Sequence, residues 1–452
     1  MLILNQSEVY IVINTEVSSN KIGGKRKNLD SSNAIENIIG FIILLLTVLI
    51  GNVFLKTDML FFRLLIGLAL GYTLTRAYSG FAGSINRAYA TGSTKLMRTL
   101  MFMFFISAFA TSAFLYNSDP TSYNLWVNPI NLGLILGGLL FGFGMTFSAC
   151  CASGVLTDLI TGLPRALITL VFFSLGIFVG FPIQKTASFV TNSWVVSSTG
   201  KELSGGVFLP DLFKWDGLQG YLGSLLLIGL FCLIVVSISY KYERYRKRNN
   251  SYTQHPTEKL QDEYLMEDSS NYSLFSKESY NKLFIKPWTL KQGAVVITLL
   301  FVILMGVTKA GWGASTPYGI WFGKFLMNFG ISADSISEFT KMPADVFNLP
   351  FFEHPITVQN VGIIIGTAIY LFTAGIFKKM FTSELNITGK QFLLFALGGI
   401  TMGLGTRLAN GCNVGALYTP IANFSLSGWV FLIFMVSGGI IGNMFAKKMY
   451  SK

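Results

Sequence analysis

Charged side chains are scarce in this sequence. Asp, Glu, Lys and Arg supply only 12% of its 452 residues, whereas hydrophobic residues supply 52%. A soluble globular protein carries about 25% charged residues. Together with a mean hydropathy of +0.55, this shortage excludes an ordinary soluble protein. It predicts a chain that folds in a lipid bilayer as one membrane domain.

Cysteine and histidine are also rare. The four cysteines, Cys150, Cys151, Cys232 and Cys412, and the two histidines show no zinc-ligand spacing. We therefore expect no metal or other cofactor and no disulfide framework. The chain has 34 Lys and Arg against 22 Asp and Glu. Because these basic residues cluster beside apolar stretches, as at 240–248, they indicate cytoplasmic loops, and no nucleic-acid partner is expected.

Ten apolar stretches approach the length of about 20 residues that a helix needs to cross a bilayer. Clusters of Lys and Arg place both termini on one side, which the positive-inside rule identifies as the cytoplasm. The sequence therefore predicts an all-α polytopic membrane protein with about ten transmembrane helices. These helices are expected at residues 37–55, 59–76, 97–116, 131–147, 165–184, 219–240, 291–308, 358–377, 391–408 and 427–446.

A polar, basic segment at 241–290 divides the chain into two membrane halves. It has no apolar periodicity, and we expect a cytoplasmic linker that is partly disordered. Residues 1–35 are expected to be a cytoplasmic tail, or a wrongly assigned start of the chain, and not a signal peptide. The predicted division is a tail at 1–35, a first half at 36–240, the linker at 241–290 and a second half at 291–452.

Both halves contain the same motif. Without gaps, GGLLFGFGMTFSACCASG at 137–154 aligns with GGITMGLGTRLANGCNVG at 398–415, so that five glycines and one cysteine coincide. A weaker match, TRAYSG at 75–80 with TKAGWG at 308–313, precedes it in both halves. The charge pattern puts the two copies in opposite orientations. We therefore predict two inverted-topology repeats whose interface forms the substrate site.

Polar residues follow the motif glycines where the remaining helical segments, 151–161 and 412–423, are too short to span a bilayer. Such segments are expected to be re-entrant helices that line a cavity. A thiol there can contact an ion without holding it tightly, and an intramembrane arginine attracts an anion. Cys232 is expected to be apolar filler, and Cys150 has no repeat partner. The candidate pathway residues are Cys151, Cys412, Cys150, Arg407, Asn410, Asn413 and Ser148.

With the pattern Gly-Gly-x3-Gly-x-Gly-x6-Cys-x2-Gly in both halves, and GWGASTP at 311–317, the sequence resembles the YeeE/YedE family of bacterial sulfur-compound transporters, particularly its YedE branch. The resemblance covers residues 36–450. It implies uptake of thiosulfate, or of a related sulfur or selenium species, across a bacterial inner membrane without ATP. It also implies that cysteine thiols pass the ion along by transient S–H···S hydrogen bonds, and Cys151 and Cys412 match two of these cysteines.

The sequence departs from the family at one further cysteine. The family often has the pattern Arg-x-x-x-Cys-Phe in the first repeat, whereas residues 76–81 read RAYSGF here. Gly80 thus stands where the resemblance places a thiol, so Gly80 joins the candidate pathway residues. This departure leaves the preferred substrate and the full three-thiol relay open.

Two alternatives to a thiosulfate transporter remain. One is a carrier of a selenium species or another sulfur compound on the same scaffold. The other is a membrane-bound thiol sulfurtransferase or redox enzyme, which the sequence disfavours because it lacks CxxC and places no His or carboxylate pair beside its cysteines. We expect a transporter and not an enzyme. Its expected partners are a small inorganic sulfur anion, the lipid bilayer and, as a candidate, a cytoplasmic sulfur-carrier protein.

Overall fold

The structure, a computed structural model, describes residues 31–266 and 277–450. In these ranges the regular elements are helices, accompanied by two isolated β-bridges. Nine helices of the described ranges are long and apolar enough to cross a membrane, and the predicted fourth span is an apolar helix of 17 residues, Leu132–Ser148. The chain is therefore an all-α multi-pass membrane protein, which confirms the predicted fold class.

Each of the ten predicted spans corresponds to a helix, and we number these α1 to α10 in chain order. Side-chain caps fix several helix ends. The Thr57 hydroxyl accepts from the backbone N–H of Leu60 at the start of α2, and Asn131 caps Leu134 in the same way at α4. The ten helices are Ser31–Phe54, Asp58–Arg76, Lys95–Leu115, Leu132–Ser148, Leu163–Thr186, Tyr221–Arg248, Leu290–Thr308, Pro355–Thr373, Gly389–Leu408 and Ser427–Tyr450.

The predicted tail is only partly visible. Residues 1–30, with all four basic residues of the tail, lie outside the described ranges, as do residues 451 and 452. Helix α1 begins at Ser31, whereas the sequence placed its start near residue 37. The cytoplasmic position of both termini therefore stays a prediction.

The two halves pack on each other in a reciprocal way. The first half contributes α2 to α5 and the second half α7 to α10. Helix α2 packs against α8, while its counterpart α7 packs against α3. Helix α4 packs against α10, while its counterpart α9 packs against α5, and α4 and α9 meet each other. Such an exchange of partners is what a pseudo-two-fold axis between two repeats produces.

The motif glycines make the contact between α4 and α9 possible. A Cβ atom added at Gly137 would lie 2.7 Å from the carbonyl oxygen of Gly405, and one added at Gly405 would lie 2.7 Å from that of Gly137. The symmetry-related pair, Gly144 and Gly398, gives 2.6 and 2.8 Å. Because real Cβ atoms do not approach so closely, only glycine lets these two backbones touch. The repeat in the sequence is thus also a repeat in three dimensions.

The backbone after α4 and α9 follows the same repeat. Ala149 and Asn410, which the motif alignment pairs, both adopt the left-handed conformation, with φ of 55° and 57°. Each loop leads into short helices, Gly154–Thr161 in the first half and Asn413–Tyr418 with Thr419–Ala422 in the second. These helices are too short to cross a bilayer. This is the arrangement predicted for re-entrant segments.

The segment 241–290 has more structure than its composition predicted. Helix α6 extends into it, and the described residues that follow form the helices Pro256–Met266 and Lys277–Tyr280. Arg246 joins this segment to the bundle by donating to the carbonyl oxygen of Tyr89 at 2.8 Å, across 157 residues of sequence. Composition could not indicate this contact, because the partner is a backbone carbonyl of the helix Gly83–Thr91, which is distant in the sequence.

Candidate functional site

Two cavities lie at opposite ends of the bundle. Thr161, just before α5, lines the first, and Gln184, near the end of α5, lines the second, roughly 30 Å further along the helix axis. Their volumes are about 120 Å³ and about 590 Å³. The first, which we call the thiol cavity, is lined among others by Gly80, Cys150, Cys151, Asp158 and His255. The second, the arginine cavity, is lined among others by Gln184, Ser315, Arg407 and Asn410.

The loop after α4 brings two cysteines to the thiol cavity. The left-handed turn at Ala149 ends the helix and directs the next residues towards the cavity. Cys150 and Cys151 are buried, with only 1% of Cys151 exposed, and the Cys151 sulfur lies 3.5 Å from the hydroxyl oxygen of Ser153. Both thiols thus lie at a cavity wall, but only one of them has a repeat partner, and their role in a pathway stays a prediction.

A tyrosine from the other half supports this loop. Tyr318, on the helix Thr316–Met327, donates its hydroxyl hydrogen to the carbonyl oxygen of Ala152 at 2.6 Å. It also lies close enough to Cys151 and Cys412 to interact with both electrostatically. Sequence reasoning missed Tyr318, because nothing in an aromatic-rich membrane protein distinguishes one buried tyrosine from the others.

Arg407 dominates the arginine cavity. Only 4% of its surface is exposed, and its guanidinium donates to neutral acceptors: to Oε1 of Gln184 at 3.3 Å and to the hydroxyl of Ser315 at 3.5 Å. Its Nε is buried without a hydrogen-bond partner, and no carboxylate of the described ranges pairs with it. A buried cation without a counter-ion is costly. This cavity is therefore suited to an anion.

Helix α5 of the first half shapes the space for Arg407. A Cβ atom at Gly180 would lie 2.7 Å from the Cβ of Arg407, so glycine is needed for the side chain to pass. The Phe181 ring centroid lies 5.2 Å from Cζ of Arg407, within cation–π distance. The first repeat thus positions the cation that the second repeat supplies.

Asn410 takes part in the same network. Nε2 of Gln184 donates to Oδ1 of Asn410 at 2.6 Å, while Oε1 of the same amide accepts from Arg407. Gln184 therefore fixes the orientation of both predicted residues. Sequence reasoning missed it, although a polar amide at the end of an otherwise apolar span was a usable signal.

Cys412 lies between the two cavities. It is fully buried, and its sulfur lies beside the hydroxyl of Ser315, which lines the arginine cavity, and beside the backbone N–H groups of Val414 and Gly415. It also lies within electrostatic range of Cys151, which lines the thiol cavity. The two cysteines that the repeat pairs in sequence thus lie within electrostatic range of each other, and their role as one pathway stays a prediction.

Aromatic side chains fill the space around this contact. The ring centroids of Phe81, Trp312 and Tyr418 lie 6.1 to 6.4 Å apart, and all three residues are buried. The indole N–H of Trp312 has no hydrogen-bond partner among the described residues. Phe81 follows Gly80 and Trp312 belongs to the corresponding loop of the second half, so both repeats contribute to this wall.

Two predicted pathway residues have partners within the protein. The hydroxyl of Ser148 donates to the carbonyl oxygens of Gly144 at 3.0 Å and Cys150 at 3.3 Å, which stabilises the end of α4. Nδ2 of Asn413 contacts the sulfur of Met145 at 3.3 Å, while its Oδ1 is buried without a partner among the described residues. A direct role of Ser148 and Asn413 in the pathway stays a prediction.

Gly80 lies on the wall of the thiol cavity, together with Cys150 and Cys151. A Cβ atom added at Gly80 would meet nothing within 4 Å. Glycine is therefore not required there by packing, and the absent side chain leaves open space beside the two thiols.

The fold also brings two titratable groups to the thiol cavity. Asp158 lies on its wall and pairs with Arg165 at 3.2 Å, and Arg165 in turn contacts Glu384 at 3.5 Å. His255, from the linker, lines the same cavity. The sequence placed no histidine beside the cysteines, and this was wrong in three dimensions because the linker folds back. Among the described residues, no group of three or more His, Cys, Asp or Glu side chains could hold a metal ion.

Comparison with known proteins identifies a family and several relatives of this chain. The profile of a family described as sulphur transport matches residues 76–441. A probable transporter YedE from Escherichia coli is 27% identical over 161 residues, which is 36% of this chain and 38% of that protein. The Salmonella typhimurium protein of the same name is 26% identical over 161 residues. This chain thus spans 38% of the length of each of these two relatives.

A third relative matches almost from end to end. The thiosulfate transporter TsuA from Spirochaeta thermophila is 24% identical over 391 residues, which is 84% of this chain and 97% of that protein. The family profile covers the motifs of both repeats and most of the residues that line the two cavities.

Proposed function

This chain belongs to the sulphur transport family, and from that premise we propose that it takes up thiosulfate, or a closely related sulfur anion, through the thiols between its two cavities. A relative named as a thiosulfate transporter supports this substrate. The observation that supports the proposal is that Arg407 contacts Ser315 at the arginine cavity, and that Cys412 lies beside Ser315 and within electrostatic range of Cys151 at the thiol cavity.

In the proposed path, the arginine cavity captures the anion. The guanidinium of Arg407 has neutral partners and a buried, unpartnered Nε, so an anion would supply the missing counter-charge. Because the side chain is removed from water, its attraction for an anion is screened little by salt. The charge-assisted hydrogen bonds would also hold the ion close to the Ser315 hydroxyl.

Beyond the arginine cavity, neutral hydrogen-bond donors would bind the ion. Cys412 and Cys151 can each offer a weak S–H donor to an oxygen or sulfur atom of the ion, one after the other. Passage requires binding that is strong enough for entry and weak enough for exit. Thiols satisfy the second condition better than a second arginine would, because they release a divalent anion more readily.

The open space at Gly80 favours a second candidate substrate. Where the resemblance places a thiol, this chain leaves a gap beside Cys150 and Cys151. A larger ion of the same chemistry, such as a selenium analogue or a longer sulfur anion, would fit that gap better than thiosulfate. Competition by such ions against thiosulfate uptake tests this alternative.

We also propose the location of the protein in a bacterial inner membrane, with the thiol cavity and the linker on the cytoplasmic side. The basic residues beside the spans support that orientation. A cytoplasmic sulfur-carrier protein is the proposed recipient of the ion on that side. Labelling of an engineered cysteine at Lys247 by an impermeant reagent, from one side only, checks the orientation.

Growth and uptake measurements test the function. The intact protein is expressed in a bacterial strain that cannot import thiosulfate, with thiosulfate as its sole sulfur source. We expect growth, and loss of at least about tenfold in uptake rate for Cys412→Ala and for Cys151→Ala. The matched control is Cys232→Ala, since Cys232 is a buried cysteine whose thiol donates to the carbonyl oxygen of Met101 at 3.4 Å, between α6 and α3.

The outcomes separate the candidate functions. No growth with the intact protein would overturn the thiosulfate assignment. Normal uptake by both alanine variants would leave transport standing and remove the thiols from the mechanism. A covalent persulfide on Cys150 or Cys151, detected by mass spectrometry during turnover, would favour the sulfurtransferase alternative.

A further inference from the structure

The linker forms one wall of the thiol cavity. The carboxylate of Glu258 accepts from the hydroxyl of Ser93 at 2.5 Å, and both side chains are buried. Nε2 of Gln261 donates to the carbonyl oxygens of Ala77 at 3.0 Å and Trp288 at 2.7 Å. These buried polar contacts fix the helix Pro256–Met266 against the loops that follow α2 and precede α7.

His255 extends from this helix into the cavity wall. It is 7% exposed and lines the cavity that contains Cys150 and Cys151. Its Nδ1 lies 2.8 Å from the hydroxyl oxygen of Thr257, so Nε2 is the nitrogen with which the ring can meet a passing ion. Burial, assisted by the charge of Arg87, lowers the pKa of His255 to about 3, so the ring is neutral at ordinary pH.

A neutral imidazole at His255 is suited to a site from which an anion leaves, because a neutral donor binds an anion less tightly than a cation does. Other charged groups around the cavity already have partners: Asp158 pairs with Arg165, and Arg87 lies 3.8 Å from Glu258. An imidazole N–H at His255 would therefore add one neutral donor to a site that holds no strong net positive charge. Such a donor can accept the ion from the thiols and still release it.

We propose that His255 is a residue of the ion path and that the linker segment 254–261, which carries it, is the inner gate of the thiol cavity. This inference rests on the proposed function for the identity of the ion. The position of the segment at the cavity wall does not depend on which ion passes. The segment is held by polar contacts to Ser93 and Ala77 and by buried side chains such as Leu260. Because it belongs to none of the ten long helices, it can open as a unit while the bundle stays intact.

A series of substitutions at His255 tests the path. His255→Gln keeps a neutral N–H donor and is expected to retain uptake within about threefold, whereas His255→Ala loses about tenfold in maximal rate. His255→Lys adds a cation and is expected to lower both KM and maximal rate by about fivefold, since the ion binds more tightly and leaves more slowly. Membrane abundance of each variant is measured as a control. Equal kinetics for the Ala, Lys and parent proteins would overturn the role of His255.

A disulfide between the linker and the bundle tests the gate. Ser93→Cys combined with Glu258→Cys places two thiols on the two sides of this contact. Because cysteine is two atoms shorter than glutamate, the disulfide forms only when the helix moves closer to Ser93, and non-reducing electrophoresis measures the fraction that has formed. Oxidation is expected to stop uptake in the cross-linked fraction, and a reductant to restore it. The two single variants and the parent protein, oxidised in the same way, control for effects on the native cysteines. Unchanged uptake by fully cross-linked protein would contradict the gate.

A measurement without substrate makes the two proposals separable. In inside-out membrane vesicles, a thiosulfonate reagent labels Cys150 and Cys151, and mass spectrometry reports the rate for each peptide. Closing the disulfide should slow this labelling by at least about tenfold. If thiosulfate is not transported but labelling slows, the gate stands and the substrate is wrong. If uptake is normal and the disulfide changes neither uptake nor labelling, the gate proposal is refuted and the proposed function is unaffected.

Discussion

The two cavities sit at equivalent places in a pseudo-symmetric molecule, yet their charges differ. The arginine cavity contains a buried guanidinium, Arg407, without a carboxylate partner in the described ranges. In the thiol cavity, the nearby cation Arg165 is shared by Asp158 and Glu384, and the histidine is neutral. The repeat thus reproduces the backbone at both ends but not the chemistry.

This difference indicates how a symmetric scaffold acquires a direction. In the proposed path, the unpaired cation at one end would capture an anion, and compensated charges with neutral donors at the other end would let it leave. Binding sites for entry and exit have opposite requirements. The entry site must bind the ion strongly enough to replace its hydration shell, whereas the exit site must bind it weakly enough for water to replace the site. Changes that alter the charge of either cavity should therefore have unequal and predictable effects.

The largest effect is expected from removing the unpaired cation. Arg407→Ala should reduce uptake by about 100-fold, since charge-assisted bonds to a buried anion are worth about 2–5 kcal/mol. Arg63→Ala is the matched control, because Arg63 is also buried and bonded to an amide, Gln359 at 3.0 Å, but does not belong to the network of Arg407 and Gln184. After correction for protein amount, this control should change uptake little.

Thermal stability distinguishes capture from a structural role for Arg407. Removal of a buried cation without a counter-ion relieves a desolvation cost, so the variant should melt no lower than the parent. A matched fall in stability and uptake would contradict the assignment and make the guanidinium a structural group.

Acid is expected to weaken the packing of the linker helix Pro256–Met266 against the bundle. The ratio of the packed (docked) to the detached (undocked) state should fall by up to about tenfold per pH unit. The pKa of His255 is about 3 in the docked state against an ordinary 6.5. Below about 6.5 the undocked ring binds more protons, so docking weakens by about 1.4 kcal/mol for each pH unit as pH falls. Hydrogen exchange of the helix Pro256–Met266 at pH 7 and pH 5, corrected for intrinsic rates, measures this. His255→Gln should remove the contribution of His255 and leave that of Glu258, which has the opposite sign because burial raises the pKa of its carboxyl. Equal slopes in both proteins would refute the mechanism.

A smaller effect is expected from unbalancing the thiol cavity. Asp158→Asn leaves Arg165 with only Glu384, so the cavity wall becomes more positive. The ion should be retained longer, with KM and maximal rate both lower by about fivefold. Glu384→Gln is the control, since Glu384 contacts the same arginine but does not line the cavity. The change in KM of this variant should be smaller. A higher KM in Asp158→Asn would argue against an exit function.

The smallest effect is expected at Gly80. Because a Cβ there meets nothing within 4 Å, Gly80→Cys should fold normally and change thiosulfate uptake by no more than about threefold, while reducing competition by larger sulfur or selenium ions. Gly142→Ala is the contrasting control, since its Cβ would collide with the carbonyl oxygen of Met435. Its membrane abundance should fall. Unchanged competition in Gly80→Cys would remove this position from substrate selection.

Most of the fold could be predicted from the sequence. All ten predicted spans are helices, since an apolar stretch in lipid must satisfy its backbone internally and the helix does so locally. The repeat could be found because close backbone contact leaves a mark in the sequence: Gly137 and Gly398 had to stay glycine in both halves. The cysteine loops could be identified because Cys151 and Cys412 occupy the same position of this glycine repeat.

Predictions of the site were less complete. Arg407 and the paired cysteines stood out as rare residues in an apolar setting. Gln184, Tyr318 and His255 did not, because each reaches the site from an element far away in the chain and carries no spacing relationship to the motif. The linker composition even indicated partial disorder, whereas its described part contains a helix with buried polar contacts.

The sequence by itself determined the membrane setting, the places of the long helices and the internal repeat, because burial in lipid and glycine-mediated packing impose local rules on residue type. Only the tertiary structure decided the electrostatic character of each end. Whether a buried arginine is paired depends on which side chains distant segments bring to it, and the fold gives Arg165 two carboxylates and Arg407 none in the described ranges. The same folding brings the linker histidine to the thiols.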